Sequence, residues 1–142
     1  MTTGPLILLV MCLCTVTVSG QANGPNPVFL GVQQDDETSI RAAIEEDPTL
    51  LDKKGVGGQT PLIHAVLTGK RLAVKTLIEL GADTTATEKD GYNILHAAGF
   101  QGRAVILQYL LSDKVKTGLD PLTDQHSDGY YPLHRACWGY VL

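Results

Sequence analysis

The residues of this chain with chemistry to offer are four histidines, a late cysteine and a few runs of carboxylates. The histidines are His64, His96, His126 and His134. No two of them have the four-residue spacing that puts a pair of zinc ligands on one helix face, and no Cys-x-x-Cys occurs. Cys137 follows His134 by three residues. A cysteine nucleophile would need that imidazole in contact, oriented by a third group. The simpler expectation is a small side chain on a helix. Glycines are scattered and build no phosphate loop. Asp35-Asp36-Glu37 and Glu45-Glu46-Asp47 read as helix ends on a solvated face. The expectation is therefore no catalytic residue, no metal site and no cofactor, with His126 solvated in a loop.

The elements that would position these residues must fit in 142 residues, one ordinary domain at most. Hydrophobic residues make up 44% and charged residues 18%, enough apolar side chain for a buried core. A net charge of −4 with no basic block argues against non-specific nucleic-acid binding, so no nucleic-acid partner is expected.

The first charged side chain is Asp35. Within the uncharged start, Leu6 to Val18 reads LILLVMCLCTVTV. As a helix this would reach about 20 Å, short of the roughly 30 Å hydrocarbon core. Small and polar residues follow, Ser19, Gly20, Gln21 and Ala22. The pattern predicts a secretory leader cut after Gly20, with Ala22 as second choice, and an extracellular or lumenal protein with no membrane contact after the cut. The alternative is an uncleaved anchor over residues 6–18. Lipidation at Cys12 or Cys14 is disfavoured, because Met11 and Leu13 are not small. Loss of the leader would leave only Cys137, so no intramolecular disulfide is expected. No Asn-x-Ser/Thr site occurs.

The chain repeats itself. Residues 58–69 read GQTPLIHAVLTG, 91–102 read GYNILHAAGFQG and 129–140 read GYYPLHRACWGY. Gly58 and Gly91 are 33 apart, Gly91 and Gly129 are 38 apart, and most of the extra length falls at Ser112 to Thr117. The second halves also recur. Ala73, Val74, Leu77 and Ile78 form a helical apolar stripe that Ile106, Leu107, Leu110 and Leu111 repeat, and Gly81 sits where a left-handed C′ residue would go. Thr60 and Asn93 can cap the helices that follow, with Pro61 and Pro132 at the first helical position, whereas Tyr131 has no capping oxygen in reach. Asp90-Gly91, Asp128-Gly129 and Gly57-Gly58 are turn signals.

These units resemble the ankyrin-repeat family, whose motif is T-P-L-H-x-A at a period of 33. The motif stands here as Thr60-Pro61-Leu62-Ile63-His64-Ala65, Asn93-Ile94-Leu95-His96-Ala97-Ala98 and Tyr131-Pro132-Leu133-His134-Arg135-Ala136. The resemblance implies an all-α solenoid of stacked helix-turn-helix pairs joined by hairpin-like loops. It implies that His96 and His134 hydrogen-bond loop backbone between repeats, and that Ala65, Ala98 and Ala136 let helices approach. The expected organisation is a leader over 1–20, a linker over 21–26, a degenerate N-terminal capping repeat over 27–57, repeats over 58–90 and 91–128, the latter with the insertion, and a partial repeat over 129–142. In the capping repeat, Pro27 to Gln34 would be the first helix, and Thr38 or Asp36 would cap the second, with Ile40, Ala43 and Ile44 on its buried face.

Function follows from the resemblance as well: a non-enzymatic scaffold for an unknown protein partner, bound on the concave face. Three columns would line that face. One reads Gln59, Tyr92, Tyr130. A second reads Leu67, Phe100, Trp138, with Gln101 beside it. The hairpin tips read Val56-Gly57, Lys89-Asp90, Ser127-Asp128. Tyr and Trp commonly carry interface energy, so the expectation is an aromatic ladder; the competing one is that Phe100 and Trp138 pack as core. The loop from Ser112 to Gln125 is a second candidate surface. The third copy, with Trp138, Val141 and Leu142 near its end, would leave an apolar face uncapped, predicting marginal stability and self-association. The alternative is that this chain is the targeting and docking part of a longer enzyme or membrane protein.

Overall fold

The structure is a computed structural model that describes residues 26–139. The leader, its cut sites and Val141 and Leu142 lie outside the described residues. Seven α-helices and two 3₁₀ turns, Pro48–Leu50 and Val56–Gly58, are the regular elements among the described residues; none is a strand. The helices are α1 (Pro27–Gln34), α2 (Glu37–Glu46), α3 (Pro61–Thr68), α4 (Arg71–Glu79), α5 (Ile94–Phe100), α6 (Ala104–Leu110) and α7 (Pro132–Gly139). Helices α1, α3, α5 and α7 pack side by side in an inner row. Each of α2, α4 and α6 packs behind its predecessor.

Local sequence explains where the helices start. The Asn26 side chain accepts from the Val28 amide ahead of Pro27, and Asp36, rather than Thr38, accepts from the Thr38 amide. Thr60 Oγ1 accepts from the Ile63 amide at 3.3 Å. Asn93 Oδ1 accepts from the Leu95 and His96 amides, both at 3.0 Å. At α7 the roles reverse: the Tyr131 amide donates to His134 Nδ1 at 3.2 Å. Lys70 gives α4 no side-chain cap; Asp35, from the preceding pair, accepts the Ala73 amide at 2.8 Å. One repeat thus caps the next.

A continuous core runs through the stack. Val28 and Ile40, Leu62 and Leu77, and Leu95 and Ile106 are almost wholly buried in successive pairs. Ala73, Val74 and Leu77 are buried, and Gly81 takes a φ of 88° just past α4. The second stripe holds for Ile106 and Leu110, Leu107 is half-buried, and Leu111, one residue past the end of α6, is exposed. Leu133 also departs from expectation. Leu62 and Leu95 are fully buried, each on a helix with inner neighbours on both sides, whereas Leu133 is 50% exposed on α7, whose close packing among the described residues is with α5.

The loops between pairs are hairpin-like, each closed across its base by a backbone bond: Gly55 N–H to Gln59 O at 2.8 Å, Glu88 N–H to Tyr92 O at 3.1 Å and His126 N–H to Tyr130 O at 2.9 Å. The inserted segment is only partly a free surface. Val115 and Thr117 are buried, and Thr84 Oγ1 donates to Thr117 O at 3.0 Å. Leu122 stands exposed further on.

Candidate functional site

The inner helices and hairpins wall an open groove of about 270 Å³, lined by Gln59, Leu67, Glu88, Tyr92, His96, Ala97, Phe100, Gln101 and Arg135. Five of the residues that the column pattern nominates, Gln59, Leu67, Tyr92, Phe100 and Gln101, meet here. Helix α5 supplies the floor because Ala97 is small, and leaves Phe100 at its end 55% exposed. Leu67 on α3 is half-buried opposite. The competing expectation, that Phe100 and Trp138 are core, does not hold: Trp138 is 44% exposed.

Two nominated polar residues are already engaged. Gln59 Oε1 faces His64 Nδ1 at 3.2 Å, and Gln59 Nε2 reaches Glu88 Oε2 at 3.5 Å. The Tyr92 hydroxyl donates to Asp128 Oδ2 at 3.0 Å and receives Arg135 Nη2 at 2.8 Å. Lys89 does not line the groove; its amide donates to Gly57 O at 3.1 Å, tying one hairpin to the next. Tyr130 and Trp138 also lie outside it, packed together with ring centroids 4.7 Å apart.

What gathers these aromatics is Arg135, which the motif reading treats as a free position. It is buried on α7, and its guanidinium carbon lies 5.0 Å from the Tyr92 ring centroid and 5.1 Å from those of Tyr130 and Trp138. It also pairs with Asp128. Rather than a ladder of free rings, the aromatics build a cage around a cation. The available signal was that Arg135 alone is charged among the residues of the inner helices α1, α3, α5 and α7.

His126 is the second correction, being sequestered rather than solvated. Its side chain is only 8% exposed; its ring stacks on Tyr92 with centroids 4.0 Å apart. Nε2 donates to the Asp90 carbonyl, and Nδ1 faces Asp128 Oδ1 at 3.0 Å. The Asp90 carbonyl, outweighing desolvation and aided by Asp128, raises the His126 pKa above its ordinary value. At Asp128 partial desolvation pushes the pKa up, but the Tyr130 amide, His126, Tyr92 and Arg135 together hold it at about 2. His96, half of the motif signal, bonds Asn93 Oδ1 at 2.8 Å through Nδ1 and approaches Tyr130 O at 3.4 Å across the repeat boundary. Burial, foremost, lowers its pKa. His134 bonds within its own turn instead. With Nε2 of His126 and Nδ1 of His96 committed to fixed acceptors, these imidazoles serve geometry. Cys137 is exposed, and among the described residues no group of three or more His, Cys, Asp or Glu side chains is placed to hold a metal.

Comparison with known proteins fits this architecture. Residues 57–89 match the family model for the ankyrin repeat. The chain is 41% identical over 58 residues to Notch-regulated ankyrin repeat-containing protein B of Danio rerio, covering 41% of this chain and 52% of that protein. It is 31% identical over 86 residues to NF-kappa-B inhibitor delta of Mus musculus, covering 61% of this chain and 25% of the relative. With SH3 and multiple ankyrin repeat domains protein 2 of Homo sapiens it shares 29% identity over 122 residues, 83% of this chain and 6% of the relative. The chain thus spans about half the length of these relatives, or less.

Proposed function

Because this chain is an ankyrin-repeat protein, we propose that it acts as a non-enzymatic scaffold whose concave groove seats an apolar side chain of a protein partner. The observation that carries the reading is Phe100, a phenyl ring 55% exposed at the mouth of a groove walled by Leu67 and Ala97. Covering the exposed part of such a ring stabilises a complex by about 1–2 kcal/mol. A groove of about 270 Å³ is small for a cofactor but has room for one or two side chains.

Phe100→Ala combined with Leu67→Ala tests this. Partner capture by the full chain should fall by roughly an order of magnitude or more. Leu67, half-buried against the core, lowers the melting temperature modestly when truncated, whereas Phe100→Ala alone, at an exposed ring, should weaken capture with little change in melting temperature. Undiminished capture by the double variant would refute the groove as the binding surface.

The uncharged leader supports a second element of the proposal, entry into the secretory route with cleavage after Gly20. Protein recovered from a secreting culture should then begin at Gln21. An intact N-terminus on membrane-bound protein would point instead to an anchor over residues 6–18.

A further inference from the structure

The outer helices offer a second concavity. Helices α2 and α4 pack closely, and Arg41 ties them by bonding Glu37 at 2.8 Å and Glu79 at 2.6 Å. Helices α4 and α6 pack less closely, and a cleft opens between them. Its floor is Val74 and Ile106, both buried. Its rim carries Leu72 and Val105, 53% and 57% exposed. These two stand 33 residues apart, at the same register on successive outer helices.

Charge gives the cleft a sign. Arg71 and Lys75 line it. Arg71 makes no ion pair among the described residues; Lys75 has only a loose one with Glu79 at 3.7 Å, and Glu79 is also held by Arg41. Asp35 lines the cleft too, but its carboxylate is committed to the Ala73 amide in the first turn of α4, where the helix dipole favours an anion. On a chain of net charge −4, this is a local excess of cations beside exposed aliphatic side chains.

We propose that this cleft docks an acidic segment of another protein, which inserts an apolar side chain between Leu72 and Val105 and sets carboxylates against Arg71 and Lys75. A recessed apolar floor suits an inserted side chain; a lipid surface is met by side chains that protrude. The site lies on different helices from the groove of Phe100, so the two surfaces can be tested separately.

The test is fluorescence anisotropy of the full chain with a labelled amphipathic peptide carrying leucines flanked by glutamates. The same peptide with lysine for glutamate, and vesicles of phosphatidylcholine with phosphatidylserine, serve as the other arms. The glutamate peptide should bind, more weakly as salt rises, and the lysine peptide should not. Arg71→Glu with Lys75→Glu should weaken binding about tenfold and reverse the preference between peptides. Leu72→Ser with Val105→Ser should weaken it as well, and Phe100→Ala should leave it unchanged. All four cleft substitutions are at exposed positions, so circular dichroism should be preserved. No binding, equal binding of both peptides, indifference to the charge reversal, or binding to vesicles but not to peptide would each overturn the proposal.

Discussion

At His126 a single imidazole joins two hairpins: it stacks on Tyr92, donates to the Asp90 carbonyl and faces Asp128. Because its folded pKa is raised above 6.5, its protonation adds stability that is fully present below about pH 6.5 and is lost as pH rises through the folded value. His96 has the opposite sign. Its depressed pKa adds stability present above about pH 6.5 and lost as pH falls through the folded value. The two offset each other, so single variants should expose them. His126→Gln should lower the melting temperature more at about pH 5.5 than at about pH 8. Equal losses at both would show that stacking alone matters. Asn93 makes a second prediction at this scale. Its Oδ1 serves the Leu95 and His96 amides and His96 Nδ1, so Asn93→Ala should cost about 1–2 kcal/mol in chemical denaturation.

Helix α7 is held to α5 at close quarters. A Cβ built on Gly99 would lie 2.7 Å from the Pro132 carbonyl oxygen and 3.0 Å from the Ala136 nitrogen, both backbone atoms that move only with the helix. Gly99→Ala should therefore cost about 1–3 kcal/mol and lift α7, despite alanine's better helix propensity. Trp138 is the sole tryptophan and sits on α7, so its emission should shift to the red and near-ultraviolet circular dichroism should weaken. An unchanged spectrum would mean that α5 and α7 do not pack backbone against backbone at Gly99. The neighbouring elements explain the sensitivity: the Arg135 cage draws Tyr92 from before α5 and Tyr130 and Trp138 from around α7 into one contact.

Across the whole molecule, stability is a sum of pairs and of the faces they share. The motif leucine tests this. Leu62→Ala and Leu95→Ala should each cost about 2–5 kcal/mol, since both side chains are fully enclosed. Leu133→Ala occupies the same register but is 50% exposed, and should cost about 1 kcal/mol or less. Equal costs, measured by denaturant unfolding, would argue against stacking as the source of the core.

Helix positions, their caps at Thr60 and Asn93, the short first helix over residues 27–34 and the register that brings Gln59, Leu67, Tyr92, Phe100 and Gln101 to one face were all legible in the sequence. Each rests on contacts within a turn of helix, or on a period that repeats. The tertiary structure alone decided that Arg135 would be caged, that His126 would be sequestered, that Leu133 would face water and that a cleft would open between α4 and α6. Those outcomes depend on which element covers a given side chain, and the groups that meet are far apart in the chain: Tyr92 and Arg135 are separated by 43 residues. Periodicity encodes which face turns inward; only packing determines what is there to receive it.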